Sequence, residues 1–484
     1  MTISGALTNA MSGLRAAGRG AEVVSSNISN ALTPGYGRRV LGLSSSTIGD
    51  AGGVRIDGIV RIVNASLAAD TRLAGAEQLN AQGTADFYQR VEQLLGTPDD
   101  PASISARLTG FESALITASS RPDAPERLSS AISEAQGLIQ SLQAASDGIQ
   151  DARTVADRTI AHQVDTLNVS LEQVVALKQQ ITAVQVQGGD VSSLQDQRQQ
   201  VIDRIGELVP IREVPRDNGQ IALYSTGGAV LLDGTSARIE FDRSNVVTPY
   251  MSVSANTLSG LRINGNPVRT GSENGVIRGG AIAAQFEIRD ELGVEAQAQL
   301  DTVARDLVSR FQDPAVDTTL ATGDAGLFTD SGGAFDPVNE RGISSRLVLN
   351  PSVDPDQGGE VWRIRDGINA VVPGLVGDSS LLQSLGSALS DSRVPASGGF
   401  GGGAFSLTGL VSTVTSSIGS ARTIAEQELS FASARFNELT ERQLADGVDT
   451  DEEIQRLLTI EQSYAANARV IEAVDEMMQT ILRL

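Results

Sequence analysis

Both ends of this 484-residue chain carry an apolar seam too narrow to stand alone. At the start, Ile3, Leu7, Ala10, Leu14, Ala17, Ala21, Val24, Ile28 and Ala31 recur in steps of four and three, which lines them up along a helix. At the finish, Leu457, Ile460, Tyr464, Asn467, Ile471, Val474, Met478 and Ile481 do the same. A stripe of that width gains too little from burial to hold an isolated helix, so each needs a partner. Two ordinary amphipathic helices docked separately on a core would satisfy either seam taken singly. Charge favours pairing the ends with each other. Residues 1–64 hold six Arg against three acidic side chains, a balance of +3, and residues 446–484 hold three Arg against nine, a balance of −6. Opposite signs steer choice of partner more than they add affinity.

Composition removes whole classes of chemistry. With no Cys and a single histidine, His162, there is no thiol nucleophile, thiolate site or multi-histidine zinc site to consider, and no cofactor or metal is expected. His162, isolated on a helix, reads as a surface residue. A net charge of −22 argues against nucleic acid and anionic membrane surfaces. Aromatics are only 4% of the chain, so its cores must be aliphatic, which suits long helices. Met1 to Glu22 lacks a basic stretch followed by an apolar run, so export through an ordinary cleaved signal is not expected.

Proline placement shows the organisation. Between Glu126 and Val209 there is none, and the apolar spacing of Leu128, Ile132, Leu138, Leu142, Ile149, Val164, Leu167, Leu171, Val174 and Ile181 predicts a helix to Gln187, about 90 Å long. Gly188-Gly189 reads as a reversal, with Leu194, Val201, Ile205 and Leu208 returning along it. Residues 211–278 switch to short strands divided by Asp217-Asn218-Gly219, Gly227-Gly228 and Asp233-Gly234. Helix resumes from Ala281 to Phe311, a turn-rich stretch runs from Pro314 to Pro395, and Gly398 to Gly403 reads as a flexible connector into a helix from Leu407 to Ala445. That glycine cluster lacks the ending of a phosphate loop. Asp354, Asp356 and Glu360 hint at a calcium loop, but position twelve is Arg365 where Glu is required. The fold class is mainly α with an inserted β domain: an elongated rod of paired terminal coiled-coil helices and a long helical hairpin. Its expected divisions are 1–65 with 446–484, 66–208 with 279–445, and 209–278.

The two junctions are the most specific segments. Thr33-Pro34-Gly35-Tyr36 stops the first helix, because proline disfavours helix at the residue before it and Pro-Gly suits a tight turn. Thr450 with Glu453 reads as a capping box opening the last helix, and Asp451, Glu452 and Glu453 sit well in its first turn. Capping alone is the simplest reading of that acidic cluster. Asn467, the polar residue of the last seam, reads as a register-setting or intersubunit hydrogen bond.

Asn27-Ile28-Ser29-Asn30 followed by Thr33-Pro34-Gly35-Tyr36 resembles the amino-terminal motif of the axial proteins of the bacterial flagellum. Gly447-Val448-Asp449 with Asp451-Glu452-Glu453 resembles their carboxy-terminal motif. Leu194-Gln195-Asp196-Gln197-Arg198, Arg289-Asp290-Glu291 with Leu300-Asp301, and Gly326-Leu327-Phe328 narrow the likeness to the hook-associated protein 1 family. Gly37 stands where that family more often has Ser or Thr, and the β portion is small, as though an outer domain of larger relatives were missing.

The resemblance implies a structural role and no enzyme. Subunits would form a helical zone between hook and filament, secreted to the extracellular flagellum by type III export. Terminal helices would line the inner tube, middle helices would make the wall, and the β domain would face outward. The implied partners are further copies, hook protein, a second junction protein next to the filament, and an export chaperone. The assembly residues would be Leu7, Leu14, Val24, Asn27, Ile28, Asn30, Gly35, Tyr36, Leu457, Ile460, Tyr464, Asn467, Ile471, Val474, Met478 and Ile481. The alternatives are another axial component (hook or second junction protein), or a secreted stalk-borne hydrolase using carboxylates of residues 314–395.

Overall fold

The structure, a computed structural model, describes residues 3–33, 35–46, 52–97, 99–271 and 274–483. Helix α1 (Ile3–Ser29) leads into an antiparallel hairpin of β1 (Arg38–Ser45) and β2 (Val54–Ile62). Four helices follow: α2 (Ala65–Leu95), α3 (Ile104–Ser120), α4 (Pro125–Val186) and α5 (Ser192–Leu208). The β insertion holds β3 (Ile211–Pro215), β4 (Ile221–Ser225), β5 (Val230–Asp233), β6 (Thr235–Ser236), β7 (Ile239–Glu240), β8 (Leu261–Ile263) and β9 (Asn266–Val268). Next come α6 (Gly280–Glu287), α7 (Gly293–Phe311), β10 (Phe328–Asp330), α8 (Ile343–Arg346), β11 (Leu347–Leu349) and α9 (Arg363–Asp366). The chain closes with α10 (Ser380–Ser390), α11 (Leu407–Ala445) and α12 (Thr450–Arg483). Among the described residues no helix is long and apolar enough to cross a membrane.

Helix α4 is the spine. Pro125 starts it with a preset φ and no N–H to waste. Its end is a Schellman turn, in which Gly189 N–H bonds the Val184 carbonyl and Gly188, at φ +73°, bonds that of Gln185. Glycine removes the Cβ penalty there, and α5 folds back along the spine. The first half of α4, from Leu128 to Ala156, faces a core shared with α2, α3, α7, α10 and α11. At its centre Phe111, Phe311 and Phe328 meet with ring centroids 5.0 to 6.0 Å apart. The second half, from Ile160 to Val174, packs on Ile202 and Ile205 of α5 and on Leu223, Leu231 and Leu232 of the β insertion.

The insertion is two small antiparallel sheets, β3 to β6 and β7 to β9, rather than one. The helix expected from Ala281 to Phe311 is interrupted by one π turn, Ile288–Leu292. The cause is Arg289, fully buried, which pairs with Asp157 at 2.7 Å and Asp290 at 2.8 Å and lies against the Phe241 and Phe286 rings. A wider turn re-aims that side chain at α4. Asp301 of the same motif accepts from the Gly342 and Ser344 backbone, and Leu327 and Phe328 are core residues.

Three expectations are corrected. The amino-terminal region contains the hairpin β1–β2 as well as a helix. The glycine connector is a built turn rather than a loose tether: Arg393 and Phe405 bond each other's backbone, Ser397 meets Thr302 at 3.1 Å, and Phe400 packs on the core. The cap of α12 is Asp449, whose Oδ1 accepts from Asp451 and Glu452 N–H, so Thr450 and Glu453 do not form a capping box. Asp354 also serves as a cap, accepting from Asp356 N–H at 3.1 Å.

Candidate assembly surface and the polar knot beneath it

The ends do pair. Helices α1 and α12 run antiparallel, with Gly13 beneath Asn467, Gly20 beneath Ile460 and Asn27 beside Glu453. The glycines set the separation: a Cβ at Gly13 would stand 2.7 Å from the Asn467 amide, and one at Gly20 3.1 Å from Ile460 Cδ1. The side of α1 that is buried is thus made of small residues, Ala10, Ala16, Ala17 and Gly20, followed by Val23, Val24 and Asn27. Leu7, Leu14 and Ile28 of the expected seam are only half-buried. On α12, Val474 is buried, Leu457, Ile460, Asn467 and Ile471 are half-buried, and Tyr464, Met478 and Ile481 are exposed. Asn467 donates to the Ser463 carbonyl one turn back, so its bond stays within its own helix.

The junction residues converge on one point. Asn27 is fully buried and all four of its amide valences are used. Its Nδ2 donates to the Arg39 carbonyl at 2.8 Å and to Glu453 Oε2 at 3.0 Å, and its Oδ1 accepts from Tyr36 O–H and Arg39 N–H, both at 2.9 Å. A side chain so satisfied fixes both the turn after α1 and the entry to α12. Gly35, at φ +77°, lets the chain reverse toward β1, and Asn30 bonds back to the Ser26 carbonyl. Pro34 lies outside the described residues. Burial raises the Tyr36 phenol above its ordinary pKa, outweighing the bond with Ser26 and the nearby Arg39 guanidinium, so it remains a neutral donor.

Glu453 was expected to cap, and instead it is fully buried against Arg38 at 3.0 Å and Arg456 at 3.3 Å. Glu452 also takes Arg38, at 2.8 Å. The third strand of the knot is Asp196 on α5, which accepts from Gly37 N–H at 3.0 Å, Arg61 Nε at 2.6 Å and Arg39 Nη2 at 2.9 Å. Residues 27–39, 196 and 453 are far apart in sequence, and their meeting ties the terminal pair to the spine. The role of Asp196 was missed because its partners lie 135 to 159 positions away. Its place in a motif beside an otherwise ordinary hairpin was the available signal. Arg72 of α2 makes a similar clasp on α5 through Asp203 at 2.9 Å.

Known proteins give this arrangement a context. Residues 88–327 match the family described as flagellar hook-associated protein FlgK helical domain. Residues 7–36 match the flagella basal body rod protein family, and residues 445–484 match the carboxy-terminal region of the flagellar basal body rod FlgEFG proteins. Flagellar hook-associated protein 1 of Escherichia coli is 23% identical over 555 aligned positions covering 100% of both chains. The Bacillus subtilis protein of that name is 22% identical over 94% of this chain and 93% of its own, and the Salmonella typhimurium one 28% identical over 49% and 44%. A solved structure of the flagellar hook junction protein FlgK from Burkholderia pseudomallei superposes with a TM-score of 0.46 and 19% identity, over 55% of this chain and 47% of that one. The rod-type motifs fall on α1 and α12 with the turns that enter and leave them, and the hook-associated domain falls between them, so the chain is similar to flagellar hook-associated protein 1 along its whole length.

Proposed function

We propose that this chain is a structural subunit joining hook to filament in the bacterial flagellum, and that it assembles with copies of itself through α1 and α12. One observation carries the reading: α12 leaves Ile454, Leu458, Tyr464, Met477, Met478, Ile481 and Leu482 exposed, although the chain has ample core elsewhere. Apolar residues repeated along an exposed helix mark a surface completed by other molecules. Leu43, Val60 and Ile62 extend the exposed apolar surface onto the hairpin β1–β2.

On this reading 1–65 with 446–484 form the inner tube, 66–208 with 279–445 the wall, and 209–278 the outer face. Ten of the sixteen assembly residues inferred from sequence divide between two tasks. Asn27, Asn30, Gly35 and Tyr36 fix the junction inside one subunit. Tyr464, Met478 and Ile481, with the half-buried Leu7, Leu14 and Ile471, await neighbours. Partners are further copies, hook protein on one side and a second junction protein on the other. Export outward proceeds unfolded, with a chaperone covering the apolar face of α12.

Deletion of the gene tests the role by electron microscopy. Hooks of normal length without filaments, with flagellin shed into the medium, are expected. Intact filaments on the deletion strain would end the reading.

A further inference from the structure

The terminal set of α1, β1, β2 and α12 is joined to the wall without a shared core. Among the described residues, neither the core around Phe111 nor the one around Leu223 contains a residue of these four elements. Within the set, α1 packs on α12 and on both strands, and the principal meeting with the wall is that of β2 on α5. The chain crosses between the two bodies twice, at 63–64 and at 446–449.

What spans the joint is polar and narrow. Asp196 of α5 accepts from Gly37 N–H and Arg61 Nε on Oδ1 and from Arg39 Nη2 on Oδ2, and Gly35 rests on Gln200 one turn along. The three charged side chains keep 11 to 16% exposure, so water reaches them. Beside them the turn after α1 overhangs α2 and the end of α11 across an open cleft of about 500 Å³, with Leu32 exposed on its rim. The β insertion is mounted in the opposite way. There Asp157 and Arg289 are fully buried, two aromatic rings lie on Arg289, and one apolar core runs from Ile160 and Val174 into Leu223 and Leu231. A close-packed joint has a single arrangement. Hydrogen bonds that water can replace add little net energy, and a joint held by them beside a cleft has room to turn.

We propose that the terminal set is one rigid body hinged to the wall at 63–64 and 446–449, and that Asp196 is the catch that holds its orientation. Freed from Asp196, the set turns about these two crossings while the α1–α12 pair stays intact. That pair does not depend on the catch, because Asn27 and Glu453 bind each other and hold Tyr36, Arg38 and Arg39 inside the set. Arg39 and Arg61 both belong to the terminal set, and Asp196 is the wall carboxylate that reaches both. Removing it takes away two ion pairs and the Gly37 bond together. The use of such a joint rests on the junction reading: a subunit between unlike neighbours can change the angle between its inner helices and its wall without unpacking either.

The absence of cysteine makes the test clean. Spin labels are attached to the purified full chain at Gln462→Cys of α12 and Gln179→Cys of α4, both exposed, so that their separation reads the joint. A second pair, Thr8→Cys with Gln462→Cys, lies within the terminal set. Pulsed electron spin resonance should give one narrow distance for each pair. Adding Asp196→Ala should broaden the first distribution at least about twofold, as a released hinge requires, and leave the second unchanged. Asp203→Ala, which removes the Arg72 clasp inside the wall, should change neither. The proposal is overturned if the first distribution in Asp196→Ala matches the parent's, if the parent's is already as broad, or if Asp203→Ala broadens it equally. Broadening of the second pair along with the first refutes it too, since the terminal helices would then be separating rather than turning. The junction role is decided apart from this: intact filaments in the deletion strain would remove that role and leave the hinge in place.

Discussion

The wall and the terminal pair use the same device, antiparallel helices, to opposite degrees. In the wall, α2 pairs with α11 as α1 does with α12, and Gly75 admits Phe436 as Gly20 admits Ile460. The difference is what lies behind each pair. Helices α3, α4, α7 and α10 close over the wall, so that Phe111, Leu115, Leu142 and Leu410 are fully buried. Behind the terminal pair lies only the two-stranded hairpin, and on α12 only Glu453 and Val474 are buried among the described residues. One region completes its core within the chain, and the other leaves much of its apolar surface exposed, which on the proposed reading neighbouring copies would cover. Between them sits the polar knot of Asn27, Glu453 and Asp196, which orients the unfinished part without burying its seam.

The largest effect should come from opening the self-sufficient region. Phe111→Ala leaves a void against the paired rings of Phe311 and Phe328, and aromatic truncations of that kind cost about 3 to 5 kcal/mol. For a cooperative unit of this size the melting temperature should fall by about 5 to 8 °C, read by calorimetry. A shift of only a degree or two would mean the wall does not hold itself together.

Glu453→Ala should be nearly as costly but confined to the ends. It removes one of the two acceptors of the Arg38 guanidinium, leaving Glu452, and one of the two of the Asn27 amide, leaving the Arg39 carbonyl, and breaking a buried pair typically costs about 3 to 5 kcal/mol. The expected result is faster proteolytic loss of roughly the first 60 and last 40 residues with an unchanged melting temperature of the remaining core. If the core melts lower by as much as it does in Phe111→Ala, the two regions are one cooperative unit and the contrast fails. Asp196→Asn should act in the same direction by about 2 kcal/mol, because the amide oxygen can still accept from Gly37 N–H while the charge-assisted bonds to Arg39 and Arg61 weaken.

What could be read from the sequence follows the reach of each signal. The spacing of Leu128 to Ile181 is local and repeats over many turns, and the observed α4 begins and ends within a residue of the expectation. Leu407 to Ala445 was equally legible, since α11 spans the residues foreseen. The hairpin β1–β2 was not, because Leu43, Val54, Ile56, Val60 and Ile62 are exposed and no clean alternation of apolar and polar residues marks a buried face. The junction motifs pointed to Asn27 and Tyr36, but Asp196 and the inward turn of Glu453 depend on partners more than a hundred positions away. The acidic run before Ile454 satisfies the rules for a helix start, and those rules hide that one of its members is used elsewhere.

The smallest stability effect, and the sharpest separation of the two regions, should come from α12 itself. Ile471 is half-buried along α1, and Arg469, two positions away, is exposed. In the free chain an aspartate at 471 can stay partly in water, so the wall should melt as before. In an assembled tube the same charge must be desolvated against neighbouring copies, which costs several kcal/mol unless it finds a cation. Ile471→Asp should therefore leave thermal unfolding of the purified protein within about 1 kcal/mol of the parent and abolish filament formation. Arg469→Ala should change neither by much, because exposed charges contribute under about 1 kcal/mol. Calorimetry of the purified variants and swimming of cells expressing them give the two readouts. If Ile471→Asp cells swim, or if that variant melts as low as Phe111→Ala, then α12 is part of the monomer's own core and the region supposed to be finished by neighbours is already complete.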